Sequence, residues 1–404
     1  MAETTTTDLC RLLGPLTEWL LESSFEGTVR CAAIVRDVAG AYGHNAEAVF
    51  LADAAVVTVE GRSLSFARTP GVPLLHQVAE VKRLLGRIER SQLSAVEAAA
   101  ELAEIRRAPG RWSKPWQVVG LVAFTVGFGI SVQATWQQVG VSTLTGLLIG
   151  LLVVGGSGRR RLALIEPFLA SLLVTIVVLV IHRNGLLAGG PIQLIVPALF
   201  YFIPGDAITA SALELAANRM TAGAARLTYS IVVLFVLAFG ALMATVVLQM
   251  PADILFDVTV PGNLGPLGVW GGWVLFAVGV MLTFSMTLRD FPWALGLVLL
   301  TAAVVEVGTR ALGDPAGTFL GAFVMMAVAL LLGRRPGCPP AYVLYLGAFY
   351  VLTPGSHGLR GLETWIGGHP VQGVTGLADM TTLLVAIAVG MLVAAATVGR
   401  FTRT

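Results

Sequence analysis

The sequence predicts an α-helical polytopic membrane protein: ten transmembrane helices arranged as two five-helix inverted repeats, preceded by a small α+β cytoplasmic domain. Three observations carry that prediction. Ten apolar stretches, separated by short polar breaks, lie between Trp116 and Val398. Apolar residues make up 56% of the chain and charged residues 12%, with a mean hydropathy of +0.81, outside the balance of a soluble globular chain. The charges also crowd at one end, since residues 1–114 hold 13 Lys/Arg and 14 Asp/Glu, 27 of the 50 in the chain. The expected division is 1–114 for the cytoplasmic domain, 115–250 for the first membrane repeat, and 251–404 for the second repeat with a short cytoplasmic tail.

Met1 to Cys10 lacks a basic start followed by an apolar run, so no signal peptide is expected. Cys10, Cys31 and Cys338 are too few and too scattered for a disulfide framework or a metal site. Leu12, Leu13, Leu16, Trp19 and Leu20, then Val29, Ala33, Ile34 and Val38, have helical spacing and predict two short helices over 8–40. The period shortens to that of strands at 48–51, 55–58 and 63–66, with a turn at Glu60 and Gly61. Helical spacing returns at 75–88 and 94–105, where Ser94 reads as an N-cap with Glu97 three residues on. His44 and His76 stand alone, with no Cys or carboxylate at ligand or triad spacing, so a regulatory, gating or assembly role is expected over catalysis.

A spanning helix needs about 20 mostly apolar residues. The expected spans are 116–132, 140–156, 164–181, 190–204, 227–250, 268–287, 292–309, 316–333, 340–353 and 379–398. Retained positive charge marks the cytoplasmic side. With the first domain inside, the inner loops and tail carry Arg159, Arg160, Arg161, Arg219, Arg226, Arg289, Arg334, Arg335, Arg400 and Arg403, against Arg183, Arg310 and Arg360 outside. Both termini are therefore expected in the cytoplasm of a bacterial cell, with the chain crossing its plasma membrane repeatedly. Trp112, Trp116, Trp136 and Trp365 read as interfacial anchors.

Pro204-Gly205 recurs as Pro354-Gly355, Gly223 as Gly373 and Leu227 as Leu377, all at an offset of 150. Phe168-Leu169-Ala170 resembles Phe319-Leu320-Gly321 at 151. A unit of five helices is odd, so its two copies enter the bilayer from opposite sides, putting Pro204-Gly205 at the inner face and Pro354-Gly355 at the outer. Inverted repeats of this kind support alternating access, with substrate held where interrupted helices end.

Charge inside a bilayer is costly and marks function. Asp206 follows the Pro204-Gly205 break and reads either as a group near substrate or proton, or as an N-cap for Ile208–Asn218. Glu306, with Arg310 one turn on, reads either as a group near substrate or proton or, more readily, as a local ion pair at the outer interface. Glu166, beside Pro167, and Asp379, which opens the expected tenth helix, rank second. A small amino acid offers an ammonium and a carboxylate; Asp206, Arg226 and the broken backbone at Pro204, Gly205, Pro354 and Gly355 supply complementary groups. His182, His357 and His369 fall in outer loops, where solvated histidines outweigh a zinc site with Glu363. No metal, cofactor or nucleic acid is expected; the partners are substrate, protons, lipid and, as an open option, further copies of the chain.

With these residues laid out, the chain resembles the bacterial threonine/serine exporter family. The resemblance lies in the domain order, in Leu20-Leu21-Glu22-Ser23-Ser24 followed by Arg30, in Val196-Pro197-Ala198 through Ile203-Pro204-Gly205-Asp206, and in Gly223-Ala224-Ala225-Arg226-Leu227. It departs from the family pattern at Lys82, where asparagine is expected, and at 133–138, which lacks an acidic residue. The resemblance implies a cytoplasmic first domain, ten helices, and export of threonine or serine drawing on the proton motive force. The competing readings are export of another small polar metabolite, a gated channel or sensor and, last, a membrane-embedded enzyme, for which no set of paired catalytic groups converges.

Overall fold

The computed structural model describes residues 5–22, 27–67, 74–132, 135–187, 189–255, 264–335, 337–352 and 354–400. Ser23 and Ser24 of the family pattern, Gln133 and Arg403 lie outside the described residues, as do the side chains of Arg160, Arg161, Asp206, Pro354 and Gly355.

The N-terminal part runs α1 (Thr6–Glu22), α2 (Thr28–Ala41), β1 (Ala46–Phe50), β2 (Ala54–Val59), β3 (Arg62–Ala67), α3 (Leu75–Glu89) and α4 (Ala95–Arg107). The strands form one antiparallel sheet in the order β1-β2-β3. Glu60 and Gly61 join β2 to β3 with φ of 46° and 81°, the paired left-handed turn whose twist suits a hairpin. Alternation along β2 buries Ala55, Val57 and Val59 and leaves Val56 outside; α1 covers the sheet with its Leu9, Leu12, Leu13 and Leu16 stripe. Ser94 opens α4: its hydroxyl accepts the Glu97 N–H at 3.3 Å and the Glu97 carboxylate accepts the Ser94 N–H at 2.9 Å. His44 does not stand alone as its sequence spacing suggested, because the hairpin brings Glu60 to 2.5 Å from its Nδ1. Hydrogen bonds from His44 and Thr6 hold the Glu60 carboxyl below the usual carboxylate range.

Twelve helices follow among the described residues: α5 (Lys114–Val132), α6 (Trp136–Gly156), α7 (Arg160–Arg183), α8 (Ile192–Leu199), α9 (Gly205–Ala216), α10 (Met220–Val247), α11 (Gly265–Thr283), α12 (Phe291–Leu312), α13 (Asp314–Gly333), α14 (Ala341–Tyr350), α15 (Pro354–Ile366) and α16 (Pro370–Arg400). A 3-10 turn, Ala252–Leu255, follows α10. Six of them, α6, α7 from Leu164, α10, α12, α13 and α16, are long and apolar enough to cross a membrane. Only 33–44% of the residues in those apolar windows are buried in the protein. Their outward positions are also apolar, among them Leu147, Leu151, Phe235 and Phe239, as a lipid-facing surface requires.

The other four expected spans fall on α5, α8, α11 and α14, and two of these need correction. Helices α8 and α14, eight and ten residues long, rise about 12 and 15 Å, half of a hydrocarbon core of about 30 Å. Each is continued after a break by a second short helix, α9 or α15. Residues 354–366 are thus helical, not loop. Arg226 and Arg360, counted as loop charges, lie within α10 and α15. Asp379 does not open its helix; α16 begins nine residues earlier, at Pro370.

The packing repeats at the sequence offset. Helices α5 and α11 cross where Gly127 lies on the backbone of Phe276 and Gly279 on that of Phe124; a Cβ at either glycine would fall 2.3 Å from the partner's amide nitrogen. Gly240 on α10 meets Ser171 and the Phe168 carbonyl of α7, while Gly390 on α16 meets Ala322 and the Phe319 carbonyl of α13. Gly223 likewise lies on Leu215 and Gly373 on Trp365. Small residues let helix backbones approach closely where no hydrophobic driving force separates lipid from protein, so these glycines fix the helix pairs.

Candidate substrate site at two helix breaks

The chain leaves α8 at Leu199 through a tight turn, with Phe202 and Ile203 both donating to the Leu199 carbonyl at 2.8 and 3.2 Å. Pro204 has no N–H to continue a helix and caps α9 with φ −80° and ψ 51°. Asp206, for which an N-cap is the alternative to a substrate or proton role, is the second residue of α9, in the turn where a helix dipole is positive, and Pro204 is the N-cap. In the second half α14 ends at Tyr350 and α15 starts at Pro354.

The two breaks meet. Phe200, at the end of α8, and Tyr350, at the end of α14, have ring centroids 5.3 Å apart. Phe124 of α5 contacts Tyr350 at 5.4 Å and Phe276 of α11 at 4.9 Å, and Phe128 stacks on Phe200 at 3.5 Å. A Cβ on Gly205 would lie 3.9 Å from Phe349. Phe124 and Phe276 sit midway along α5 and α11, so both breaks lie at the same level, halfway along the crossing pair. That corrects the placing of Pro204-Gly205 at one face and Pro354-Gly355 at the other: hydropathy ended the apolar stretches at the prolines, whereas the chain continues in helix beyond them.

Around the breaks, Arg226 is buried on α10, which packs against α9. Glu166 is half-buried on α7, within electrostatic reach of Tyr201 in the first break. Glu306 is exposed and paired with Arg310 at 2.5 Å, a surface pair of small energetic weight, away from the breaks. Asp379 is exposed on α16, which packs on both α9 and α15. Glu166 thus lies near the first break, Arg226 lies on the helix packed against α9, and Glu306 is at the surface.

Three buried polar side chains, Gln138, Gln193 and Glu214, escaped the sequence reading, and a fourth, Glu363, read there only as an outer-loop residue, is buried on α15. Gln138 on α6 donates to Gln193 on α8 at 3.1 Å, both almost fully buried. Glu214 on α9, 4% exposed, accepts the Thr28 backbone N–H at 2.7 Å and the Thr28 hydroxyl at 2.8 Å, so a membrane-region carboxylate caps α2 of the N-terminal part. Glu363 on α15 is fully buried, and neither of its oxygens has a hydrogen-bond partner among the described residues. The two glutamates lie near the C-terminal ends of the short helices at the two Pro-Gly breaks, one residue out of step with the 150-residue offset.

The N-terminal part also holds the ends of α11 and α13. Leu75 and His76 donate backbone N–H groups to the carbonyls of Phe284 and Ser285 at 2.9 and 3.3 Å, and the Trp112 indole donates to the Met286 carbonyl at 3.2 Å. Lys82 donates from Nζ to the carbonyls of Gly333, Cys338 and Pro339. The Gly333 carbonyl ends α13 and has no partner within its helix, so a cation there suits the negative end of the dipole. Beside Lys82 opens a cleft of ≈ 1350 Å³, lined by Arg30, Arg87, Glu101, Arg289 and Arg335, which shares no residue with the breaks.

No curated protein and no solved structure matched this chain. A family model described as "Putative threonine/serine exporter" matches residues 12–248, from α1 to the end of α10 and more than half of the chain. The chain therefore belongs to the threonine/serine exporter family.

Proposed function

We propose that this protein is a secondary active exporter of small neutral amino acids, threonine and serine, working as a proton antiporter by alternating access in the bacterial plasma membrane. In this reading residues 1–114 are a cytoplasmic domain, and 115–250 and 251–404 are inverted repeats of five spans each. Helices α8 with α9 and α14 with α15 each form one broken span. Both termini are cytoplasmic. The observation that carries the proposal is the meeting of two helix breaks at one crossing, Phe200 against Tyr350 and Gly205 against Phe349. Support comes from the glycine contacts, which recur between the halves at the same offset as the breaks.

The chemistry suits a zwitterion. Helices α9 and α15 both start at the breaks, and a helix N-terminus carries about half a positive charge with unsatisfied N–H groups, a match for a substrate carboxylate. Asp206 supplies the counter-charge for the ammonium. Glu166 lies beside the first break and Arg226, on the helix packed against α9, is a second candidate cation for the substrate carboxylate; Pro204-Gly205 and Pro354-Gly355 interrupt the helices there, and Asp379 on α16 is a secondary proton site. The four rings of Phe124, Phe200, Phe276 and Tyr350 close the crossing, which favours a carrier over a channel. The N-terminal domain, tied to α9, α11 and α13, regulates rather than catalyses.

The test is threonine efflux from proteoliposomes of the full-length protein, with the membrane potential clamped. Acid outside is expected to accelerate efflux; efflux indifferent to the gradient would remove the antiport. Replacing Asp206→Asn should cut flux at least roughly tenfold, the worth of one lost charge contact of about 1.4 kcal/mol, and unchanged flux would move the ammonium site elsewhere.

A further inference from the structure

We infer that Glu363 is the carboxylate that carries the coupled proton. The inference rests on the antiport reading and deepens it by naming the residue. Glu363 is 0% exposed, and both its oxygens lack a hydrogen-bond donor among the described residues. An ionised carboxylate in that setting costs several kcal/mol, and a carboxyl without partners contributes nothing to packing that leucine would not do better. The group earns its place only if it gains and loses a proton.

Its surroundings suit that task. Gly361 and Gly373 bring α15 against α16, and one turn after Glu363 the Cβ position of Gly367 lies 3.0 Å from the Ala252 carbonyl in the 3-10 turn. Arg360, one turn earlier, is the charge that reaches Glu363. Other charges near α15 are His357 on the helix itself, Arg226 on α10, Asp379 on α16 and Asp314 at the start of α13. Asp206 and Glu214 lie on α9, Asp253 lies in the 3-10 turn, and α8 carries none. In the described arrangement Glu363 is sealed from solvent, a setting that suits the neutral carboxyl. When α15 moves and water reaches the side chain, Arg360 favours the ionised form and the proton leaves. The cycle makes and breaks only the O–H bond on Glu363: the proton comes from water on the outer side and returns to water on the inner side while threonine passes outward.

The experiment uses full-length protein in proteoliposomes with threonine as probe and the potential clamped. In the wild type one pH unit, about 1.4 kcal/mol, drives a threonine gradient of up to roughly tenfold in a one-for-one exchanger. Glu363→Gln is expected to keep threonine–threonine exchange and lose the response to pH, and Glu363→Asp to restore it. Dicyclohexylcarbodiimide, which adds to protonated carboxyl groups in apolar sites, is expected to label Glu363, read by mass spectrometry, and to stop coupled efflux. A Glu363→Gln protein that still builds the gradient would overturn the inference and leave antiport standing. So would an active wild type that takes no label at Glu363, a result that does not depend on whether the variants fold. A wild type that exchanges threonine but ignores pH would remove the antiport and Glu363's role together.

Discussion

Helices α9 and α15 start at related Pro-Gly breaks, run twelve and thirteen residues, and each carries a buried glutamate near its C-terminal end, Glu214 and Glu363. Glu214 receives two hydrogen bonds from Thr28, whereas Glu363 receives none among the described residues. The scaffold is similar and the partner is not: among the described residues the N-terminal part bonds to α9 and to the ends of α11 and α13, and α3 also packs on α14. The same element thus serves as a latch in one half and is left as a solitary acid in the other.

The repeated scaffold is the part of this comparison that is easiest to break. A valine at Gly127 would push its Cβ toward the Phe276 amide, and one at Gly279 toward that of Phe124, each starting 2.3 Å away. Backbone cannot yield as a flexible side chain does, so either Gly127→Val or Gly279→Val is expected to cost more than about 3 kcal/mol. The loss should be similar for the two, visible as lost monodisperse protein and lowered melting temperature in detergent. A tolerated change at one glycine and not the other would break the likeness of the halves.

The unequal partners are tested by removing both acids. Glu214→Leu leaves the Thr28 N–H and hydroxyl without an acceptor, at roughly 1–3 kcal/mol, and should speed hydrogen exchange at 28–31 and expose the N-terminal part to protease. Glu363→Leu removes a carboxyl that bonds to nothing described and should leave the melting temperature unchanged or higher. Equal destabilisation by the two variants would mean that Glu363 has a structural partner after all.

The N-terminal part was legible almost element by element, since its helices and strands are set by local spacing, the Ser94–Glu97 capping box and the Glu60-Gly61 turn. The Pro-Gly breaks and their recurrence were legible for the same reason. Helix α15 was not: Ser356, His357, Arg360 and Glu363 make its average polar, and hydropathy measures contact with lipid, whereas this helix is buried in protein. Glu214 was missed because its partner lies 186 residues away, and the level of the breaks because depth depends on packing against α5 and α11. His44 looked solitary because a hairpin, not sequence spacing, delivers Glu60.

The seam between α3 and the end of α11 sharpens the comparison from the N-terminal side, with a smaller effect. His76 is 2% exposed, its Nδ1 lies 3.3 Å from the Ser285 carbonyl, and its Nε2 is buried without a hydrogen-bond partner among the described residues. The Nδ1–H tautomer satisfies the carbonyl, and a second proton on Nε2 would be buried unsolvated; that burial holds the imidazole below its ordinary range. The unfolded or undocked chain therefore binds the proton better. The seam keeps its full strength above about pH 6.5, the ordinary histidine value. It weakens as pH falls through that value toward the lowered one, by no more than about 1.4 kcal/mol per pH unit, and then levels off. Hydrogen exchange at Leu75 and His76 between pH 7.5 and 5.5, corrected for intrinsic rates, is expected to show this loosening while Thr28 stays protected by Glu214. His76→Asn retains a donor in the position of Nδ1 and cannot titrate, so its seam should be independent of pH. Parallel loosening at Thr28 would mean that the N-terminal part lifts as a whole, and that the two latches act as one.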